Sequence, residues 1–152
     1  MQPMLTRWNI LKSKPFGKIL FSYLAGKFVP YTGSIDARVN VLEPGYAEIT
    51  MKERRKLQNH LNSIHAIALA NLAEYAGNLA LLAGLPDDAR FIVKSFEIEY
   101  VKKARGVITA KSKPGIIESS EEKAYQVEVN LYDESGDVVT ICQLQTLVGP
   151  KK

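Results

Sequence analysis

The segment Ile64–Ala83, with the sequence IHAIALANLAEYAGNLALLA, decides the architecture of this chain. It consists almost wholly of apolar residues and good helix formers, and Gly84 with Pro86 supplies a stop after it. Asn62 or Ser63 can cap its start. A helix that is apolar nearly all round must be buried nearly all round, so we expect the rest of the chain to wrap it.

On both sides of this helix the apolar period changes to two, which indicates β-strands. Two strand-like runs precede it, at residues 35–42 and 47–52, and the first of them places Val41 on its buried face and Leu42 on the opposite face. Four runs follow it, at residues 91–101, 106–112, 125–131 and 138–148. One antiparallel sheet curled around one helix is the economical way to bury that helix, so the predicted fold class is α+β.

Length and composition limit the classes of protein to which this chain can belong. The 152 residues suffice for one core, and the 46% hydrophobic and 24% charged residues are ordinary globular values. The formal net charge of +4 suits an anionic ligand and is too small and dispersed to indicate nucleic-acid binding. Cys142, the only cysteine, excludes an intrachain disulfide and a thiol-built metal site. With neither a secretory signal nor an apolar run long enough to span a bilayer, the expected location is cytoplasmic.

Residues 1–32 form a basic, amphipathic arm ahead of the main domain at residues 33–152. The arm holds five basic residues and no acidic one, and Lys14-Pro15 divides its helical apolar pattern into two short helices. The preferred interpretation is that these helices pack on the domain and cover the ligand channel, because so many apolar residues need a protein partner. The alternative is contact with a membrane surface, since basic amphipathic helices bind anionic headgroups.

Polar residues mark one stripe of the central helix. Asn71, Glu74 and Asn78 lie at positions i, i+3 and i+7, which places them on the same side. Because a buried carboxylate is costly, Glu74 either pairs with a cation, turns to solvent, or acts as a desolvated general base or nucleophile. His65 stands at the helix start, where free backbone N–H groups can bind an oxyanion, although a structural role for His65 is the alternative.

The spacing of these residues resembles that of hotdog-fold thioesterases of the phenylacetate type, and more closely a thioesterase-like subgroup. In that branch an Asn stands six positions before the His of a His-Gly-Gly turn, and an acid stands nine positions after it. Here Asn59 stands six positions before His65, and Glu74 stands nine positions after His65. The stretch 96–106 is similar to the family's strand and following turn, and the resemblance covers roughly residues 35–148.

The resemblance implies a hotdog fold and hydrolysis of an acyl-CoA or acyl-carrier thioester. Glu74 would be the base or nucleophile, and Asn59 would orient water or substrate. The N–H of Ala66 would polarise the thioester carbonyl, with His65 shaping the turn. The resemblance also implies a homodimer, and such dimers can pair into tetramers, because the acid of one subunit faces the Asn–His turn of the other. No cofactor is implied beyond the CoA of the substrate.

The sequence departs from this family where Ala66 and Ile67 replace the two glycines. Alanine supplies the same N–H if its φ is helical, whereas Ile67 adds bulk where the second glycine allows a close approach. A non-catalytic acyl-binding or oligomerisation module therefore stays open, as does a hotdog dehydratase with a histidine base. The cations Lys102, Lys103 and Arg105 either grip cofactor phosphates at the mouth of the site or form a solvated turn.

Overall fold

The secondary structure has the predicted order of two strands, one long helix and four strands, preceded by three short helices. The computed structural model describes residues 2–151. The helices are α1 (Pro3–Leu11), α2 (Gly17–Phe28), α3 (Pro30–Gly33) and α4 (Ala66–Gly84). The strands are β1 (Arg38–Glu43), β2 (Tyr46–Lys52), β3 (Ala89–Tyr100), β4 (Val107–Ser112), β5 (Lys123–Tyr132) and β6 (Val138–Pro150). A single 3-10 turn, Arg55–Leu57, lies between β2 and α4.

The six strands form one antiparallel sheet in the order β1-β2-β4-β5-β6-β3. This sheet curls around α4, which packs against all six strands. β1 and β3 are the two edges, and α2 covers the β1 side whereas no described element covers β3. The predicted α+β arrangement of a sheet around a central helix is confirmed.

Small residues let α4 lie close to the sheet. A Cβ atom at Gly77 would collide with the side chain of Leu144 and come within 3.0 Å of Val129. Ala76 and Ala80, on the same helix, are fully buried. Even one added methyl group at Gly77 would therefore force the Leu144 side chain to move and tighten the contact with Val129.

We expected no apolar run long enough to span a bilayer. Judged by the length and composition of α4 alone, this expectation was wrong. α4 has 19 residues and a mean hydropathy of 1.3 over its most apolar window, which meets the criterion for a membrane-spanning helix. Of that window, 61% is buried inside the protein. The core helix of a sheet-wrapped fold meets the same criterion, because it too must be apolar on nearly every side.

A bulge in β1 overturns part of the predicted alternation. The register with β2 shifts between Val39 and Val41, which leaves Asn40 as an extra residue. An inserted residue reverses the side-chain alternation beyond it. As a result Leu42 is 1% exposed and belongs to the core, whereas Val41 is only half-buried. The carbonyl of Asn40 accepts a hydrogen bond from Lys18 Nζ at 2.7 Å, which links the bulge to α2.

The N-terminal arm packs on the domain through some of its apolar residues. Leu5, Trp8 and Phe21 are buried, and the rings of Trp8 and Phe21 meet edge-to-face at 5.1 Å. Gln2 Nε2 donates a hydrogen bond to the carbonyl of Pro86 at 2.7 Å, just beyond the end of α4. The arm is thus attached at both α4 and β1, although the outward side of α2 remains exposed.

Candidate active site

The start of α4 is fixed by a histidine side chain. The helix begins at Ala66, and His65 is its N-cap, with Nδ1 accepting a hydrogen bond from the N–H of Ile67 at 3.1 Å. The expectation that Asn62 or Ser63 caps the helix is therefore wrong. Those two residues belong to the preceding turn, where Asn62 has a positive φ of 53°. His65 consequently has a structural role at this turn, whatever else it does.

Asn59 organises the turn that leads into the helix. Its Oδ1 accepts hydrogen bonds from the N–H of Leu61 at 2.9 Å, the N–H of Ser63 at 3.3 Å and the hydroxyl of Ser63 at 3.2 Å. Its Nδ2 donates to no acceptor within residues 2–151. The amide oxygen therefore holds the turn, and the amide nitrogen is left as a donor for water or a ligand.

Ala66 presents an unpaired backbone N–H at the positive end of α4. The first N–H groups of a helix have no acceptor inside it. His65 takes those of Ile67 and Ala68, through Nδ1 and its carbonyl respectively. Along the described part of the chain, the N–H of Ala66 has no acceptor. The helix start therefore offers one oriented donor in the field of the helix dipole, which favours a developing negative charge.

Tyr100, at the end of β3, is a site residue that the sequence did not reveal. Its hydroxyl donates to the carbonyl of Ala66 at 3.0 Å, which ties the last residue of β3 to the first residue of α4. Burial, with Cys142 as a smaller contribution, raises the pKa of Tyr100, so the phenol keeps its proton at neutral pH. The one signal available was an aromatic residue at a strand end, because no spacing rule connects residues 34 positions apart.

Glu74 lies two turns further along α4 and is exposed in the single chain. Its Oε1 accepts one long hydrogen bond, from Asn78 Nδ2 at 3.5 Å, and it has no ion pair within residues 2–151. Asn71 is instead buried, and it donates to the carbonyl of Tyr31 at 3.1 Å. The predicted stripe is therefore divided, with Asn71 facing α3 and Glu74 facing solvent.

Cys142, on β6, lies within electrostatic reach of Glu74. Burial, followed by the charge of Glu74, raises the pKa of the Cys142 thiol to about 12. A protonated and fully buried thiol is a poor nucleophile, so Cys142 contributes to the core rather than to chemistry.

The carboxylate and the helix-start donor are far apart within one chain. Glu74 follows Ala66 by eight residues, which corresponds to about 12 Å along a helix axis. One thioester carbonyl cannot lie within hydrogen-bonding distance of the Ala66 N–H while its carbon is attacked from Glu74 of the same helix. The geometry therefore favours a site that takes the two groups from two chains.

The three cations after β3 differ in whether they form ion pairs. Lys102 Nζ forms ion pairs with Asp133 at 2.6 Å and Asp137 at 2.7 Å. The hydrogen bond to Asp133 is the largest of several effects that raise the pKa of Lys102. Lys103 and Arg105 are exposed and form no ion pair with the described residues. Of the three predicted phosphate-binding residues, Lys103 and Arg105 are therefore the two without an ion pair in residues 2–151.

The segment that carries these cations is anchored beside the start of α4. The carbonyl of Ala104, which is 1% exposed, accepts a hydrogen bond from the N–H of Ile64 at 2.9 Å. Glu53 accepts a hydrogen bond from the N–H of Gly106 at 2.7 Å, and its own N–H donates to the carbonyl of Gly106 at 2.8 Å. The residues on either side of Ala104 are thereby held near the helix start.

A cleft of about 580 Å³ separates the arm from the domain. It is bordered by α2 and α3, by Arg38 on β1 and by Tyr75 on α4. Burial raises the pKa of Tyr75 to about 12, and its hydroxyl makes no hydrogen bond within residues 2–151. The volume lies in the range of small-molecule sites, and Tyr75 is the residue next to Glu74. That the arm covers an acyl channel stays a prediction, and this cleft lies between the arm and the domain.

Comparisons with solved structures identify the fold of the protein. The crystal structure of the genomics protein APC5556 matches with a TM-score of 0.84 and 30% identity, over 97% of this chain and 98% of that one. PA5026 of Pseudomonas aeruginosa, named a probable thioesterase, matches at 0.76 and 23%, over 91% and 97%. The Staphylococcus aureus thioesterase SAV0944 matches at 0.69 and 15%, over 80% and 99%. The predicted hotdog fold, as found in thioesterases, is confirmed.

Residues 17–148 match the family described as Domain of unknown function (DUF4442), and the chain belongs to that family. The matched range begins at the first residue of α2 and ends in β6. A comparison with curated proteins finds no match.

Proposed function

We propose that this protein hydrolyses an acyl thioester, of the acyl-CoA or acyl-carrier class, with Glu74 as base or nucleophile. The unpaired N–H of Ala66 at the start of α4 is the observation that carries the proposal. Hydrolysis of a thioester develops negative charge on the carbonyl oxygen, and a preorganised backbone donor at a helix N-terminus stabilises that charge. Several structural neighbours are named as thioesterases, which supports the same class of reaction.

The hydrogen bonding of His65 favours hydrolysis over dehydration. An imidazole that accepts a hydrogen bond at Nδ1 carries its own hydrogen at Nε2 when neutral. Neither nitrogen then has a lone pair available to remove a proton from a substrate. His65 would have to release the N–H of Ile67 before it could act as the base that a dehydratase needs. We therefore assign His65 as a positioning residue and leave Glu74 as the base or nucleophile.

The site is proposed to form between two copies of the chain. The separation of Glu74 from its own Ala66 supports the use of a partner chain, and β3 offers a surface for one. This edge strand is 12 residues long and exposes Ile92 by 59%, Phe96 by 37% and Tyr100 by 43%. A long edge strand with unpaired backbone groups invites pairing with another strand. Pairing of two copies would cover it and bring the Tyr100–Ala66 junction of one chain towards the other.

The geometry also suggests how substrate is held. Asn59 Nδ2, near the helix start, would bind the attacking water or the carbonyl oxygen. Lys103 and Arg105 would bind the phosphates of CoA, because they lie on the segment anchored beside the same turn. Arginine and lysine are the usual partners of phosphate oxygens.

A binding-only role is the second candidate, and Ile67 is the residue that favours it. Ile67 is 54% exposed, and its N–H is used by His65. The turn therefore offers one backbone donor to a carbonyl instead of two, and a bulky side chain stands beside it. Such a site would bind an acyl thioester and stabilise its transition state less well.

A hydrolysis assay over acyl-CoA substrates of graded chain length separates the two candidates. We expect turnover by the natural protein and a loss of roughly 10²–10⁴ in Glu74→Gln, because lost general-base catalysis has that magnitude. Glu118→Gln, at an exposed loop position, is the matched control and should keep full turnover. Activity of Glu74→Gln within about tenfold of the natural protein would refute the role of Glu74. Tight binding of every acyl-CoA without turnover would establish the binding-only role.

A further inference from the structure

α2 has a second apolar side that points away from the protein. Ile19, Leu20, Tyr23 and Leu24 are 45%, 47%, 60% and 52% exposed, and we call them the outer face of α2. At 100° per residue, these positions cover one side of the helix, opposite Phe21, which is 5% exposed. A helix that is apolar on both sides is normally covered on both sides. In the single chain, only one side of α2 is covered.

Aromatic residues at both ends of α2 are also exposed. Phe16, which precedes α2, is 81% exposed and has a left-handed backbone with a φ of 58°. Phe28, the last residue of α2, is 88% exposed. So many exposed apolar side chains on and beside one helix mark an interaction site, because an isolated soluble surface rarely carries them.

All the charged side chains of the arm that carries the outer face are positive. Between residues 2 and 35 there are five cations and no carboxylate side chain: Arg7, Lys12, Lys14, Lys18 and Lys27. Lys12 and Lys14, in the turn between α1 and α2, are exposed. Lys27 Nζ lies 5.5 Å from the centre of the Tyr23 ring, so its stem follows the apolar surface while its charge stays at the rim. The first acid, Asp36, is paired with Arg54 at 3.0 Å.

We propose that the outer face of α2 binds the surface of a bilayer that contains anionic lipid headgroups. The helix would lie parallel to the surface, with Leu20 and Leu24 among the acyl chains and the lysines at the phosphates. An apolar face bordered by lysines is the pattern of helices that lie in a membrane interface. A second copy of the chain is a poorer occupant, because its own arm would bring five more cations and no acid. This proposal does not rest on thioester hydrolysis.

Both earlier interpretations of the arm then apply, each to one side of α2. The buried side, with Phe21, attaches the helix to the domain, and the outer face contacts lipid. The cleft of about 580 Å³ is lined by Ile19 and Tyr23 from the outer face and by Tyr75 of α4. When the protein is bound to a bilayer, the mouth of this cleft would therefore lie next to the acyl chains.

Vesicle flotation with the full-length protein tests the proposal. We expect binding to vesicles of phosphatidylcholine with about 30% phosphatidylglycerol, weaker binding at high salt, and little binding to phosphatidylcholine alone. Leu20→Asp with Leu24→Asp should weaken binding at least tenfold while the melting temperature stays the same, because both side chains are exposed. Ile116→Asp, at a site 68% exposed between β4 and β5, is the matched control and should bind normally. Replacing Lys12 and Lys14 by alanine should cost about fivefold for each lysine.

Three results would overturn the proposal. The first is failure of the natural protein to bind anionic vesicles at low salt. The second is equal binding by the natural protein and the Leu20→Asp, Leu24→Asp variant. The third is a smaller assembly of that variant by light scattering without lipid, which would assign the outer face to a contact between copies of the chain.

Discussion

Ala66→Pro removes the proposed oxyanion donor while leaving the helix able to form. Proline has no N–H, and the first position of a helix is where it is best tolerated. The N–H of Ala66 has no acceptor among residues 2–151, so the substitution breaks no hydrogen bond within them. The residue before proline must be extended, and His65 already is, with φ −63° and ψ 138°. We therefore expect the free energy of unfolding to change by less than about 1 kcal/mol.

The expected loss of catalysis is much larger than this change in stability. Removal of one oxyanion donor typically lowers kcat by about 10²–10³, or roughly 3–4 kcal/mol of transition-state stabilisation. Steady-state hydrolysis of the best acyl-CoA substrate would measure kcat and KM, and thermal unfolding would measure stability. Ala66→Gly is the matched control, because it keeps the N–H and restores the glycine of the resembling family. It should keep kcat, although glycine costs the helix up to about 1 kcal/mol.

The pair of variants makes the prediction easy to refute. If Ala66→Pro is folded and its kcat lies within about threefold of the natural value, the N–H of Ala66 does not stabilise the transition state. If Ala66→Pro and Ala66→Gly lose activity equally, the effect comes from the helix start as a whole and not from the donor.

Three further predictions concern assembly and the core. When Glu74→Gln and Ala66→Pro chains are mixed equally and exchange subunits, about a quarter of natural turnover should return. Half of the dimers are then hybrids, and each hybrid has one intact site of two. Absence of recovery despite verified exchange would place the site within one chain. Ile92→Glu with Phe96→Glu should give a light-scattering mass near 16.9 kDa, whereas an unchanged dimer would exclude the β3 edge as the interface. The Cys142 thiol, with its pKa near 12, should react with a disulfide reagent at pH 8 only as fast as the protein opens, and rapid reaction of the native protein would show it to be accessible.

The fold could be predicted because α4 permits few alternatives. A chain with one helix apolar on nearly all sides and six strand-like runs has to wrap the sheet around that helix. The sequence did not predict those details of the fold that depend on contacts between residues far apart in the chain. The bulge at Asn40 depends on pairing with β2 and on Lys18, which lies 22 residues away. Alternation alone therefore could not predict that Leu42, and not Val41, belongs to the core.

In the candidate site, too, the spacing of nearby residues could be read from the sequence, whereas contacts between distant residues could not. The spacing of Asn59, His65 and Glu74 could be read from the sequence, because all three lie within 16 consecutive residues. Tyr100 was missed because its partner, Ala66, is 34 residues away. Similarly, the carboxylates that hold Lys102 lie in the turn between β5 and β6, more than 30 residues later in the chain. Ion pairs between such segments become visible only when the strands are paired.

In the proposed two-chain site, the distance of about 12 Å between Glu74 and its own Ala66 would make turnover depend on the encounter between chains. If each site takes one group from each copy, turnover per chain falls on dilution, and at a total concentration equal to the dimer Kd about half of the chains are paired. The abundance of the protein in the cell then decides whether it works. A membrane that collects the chains through α2 would confine them to two dimensions and raise their local concentration, which would promote catalysis without any change of conformation.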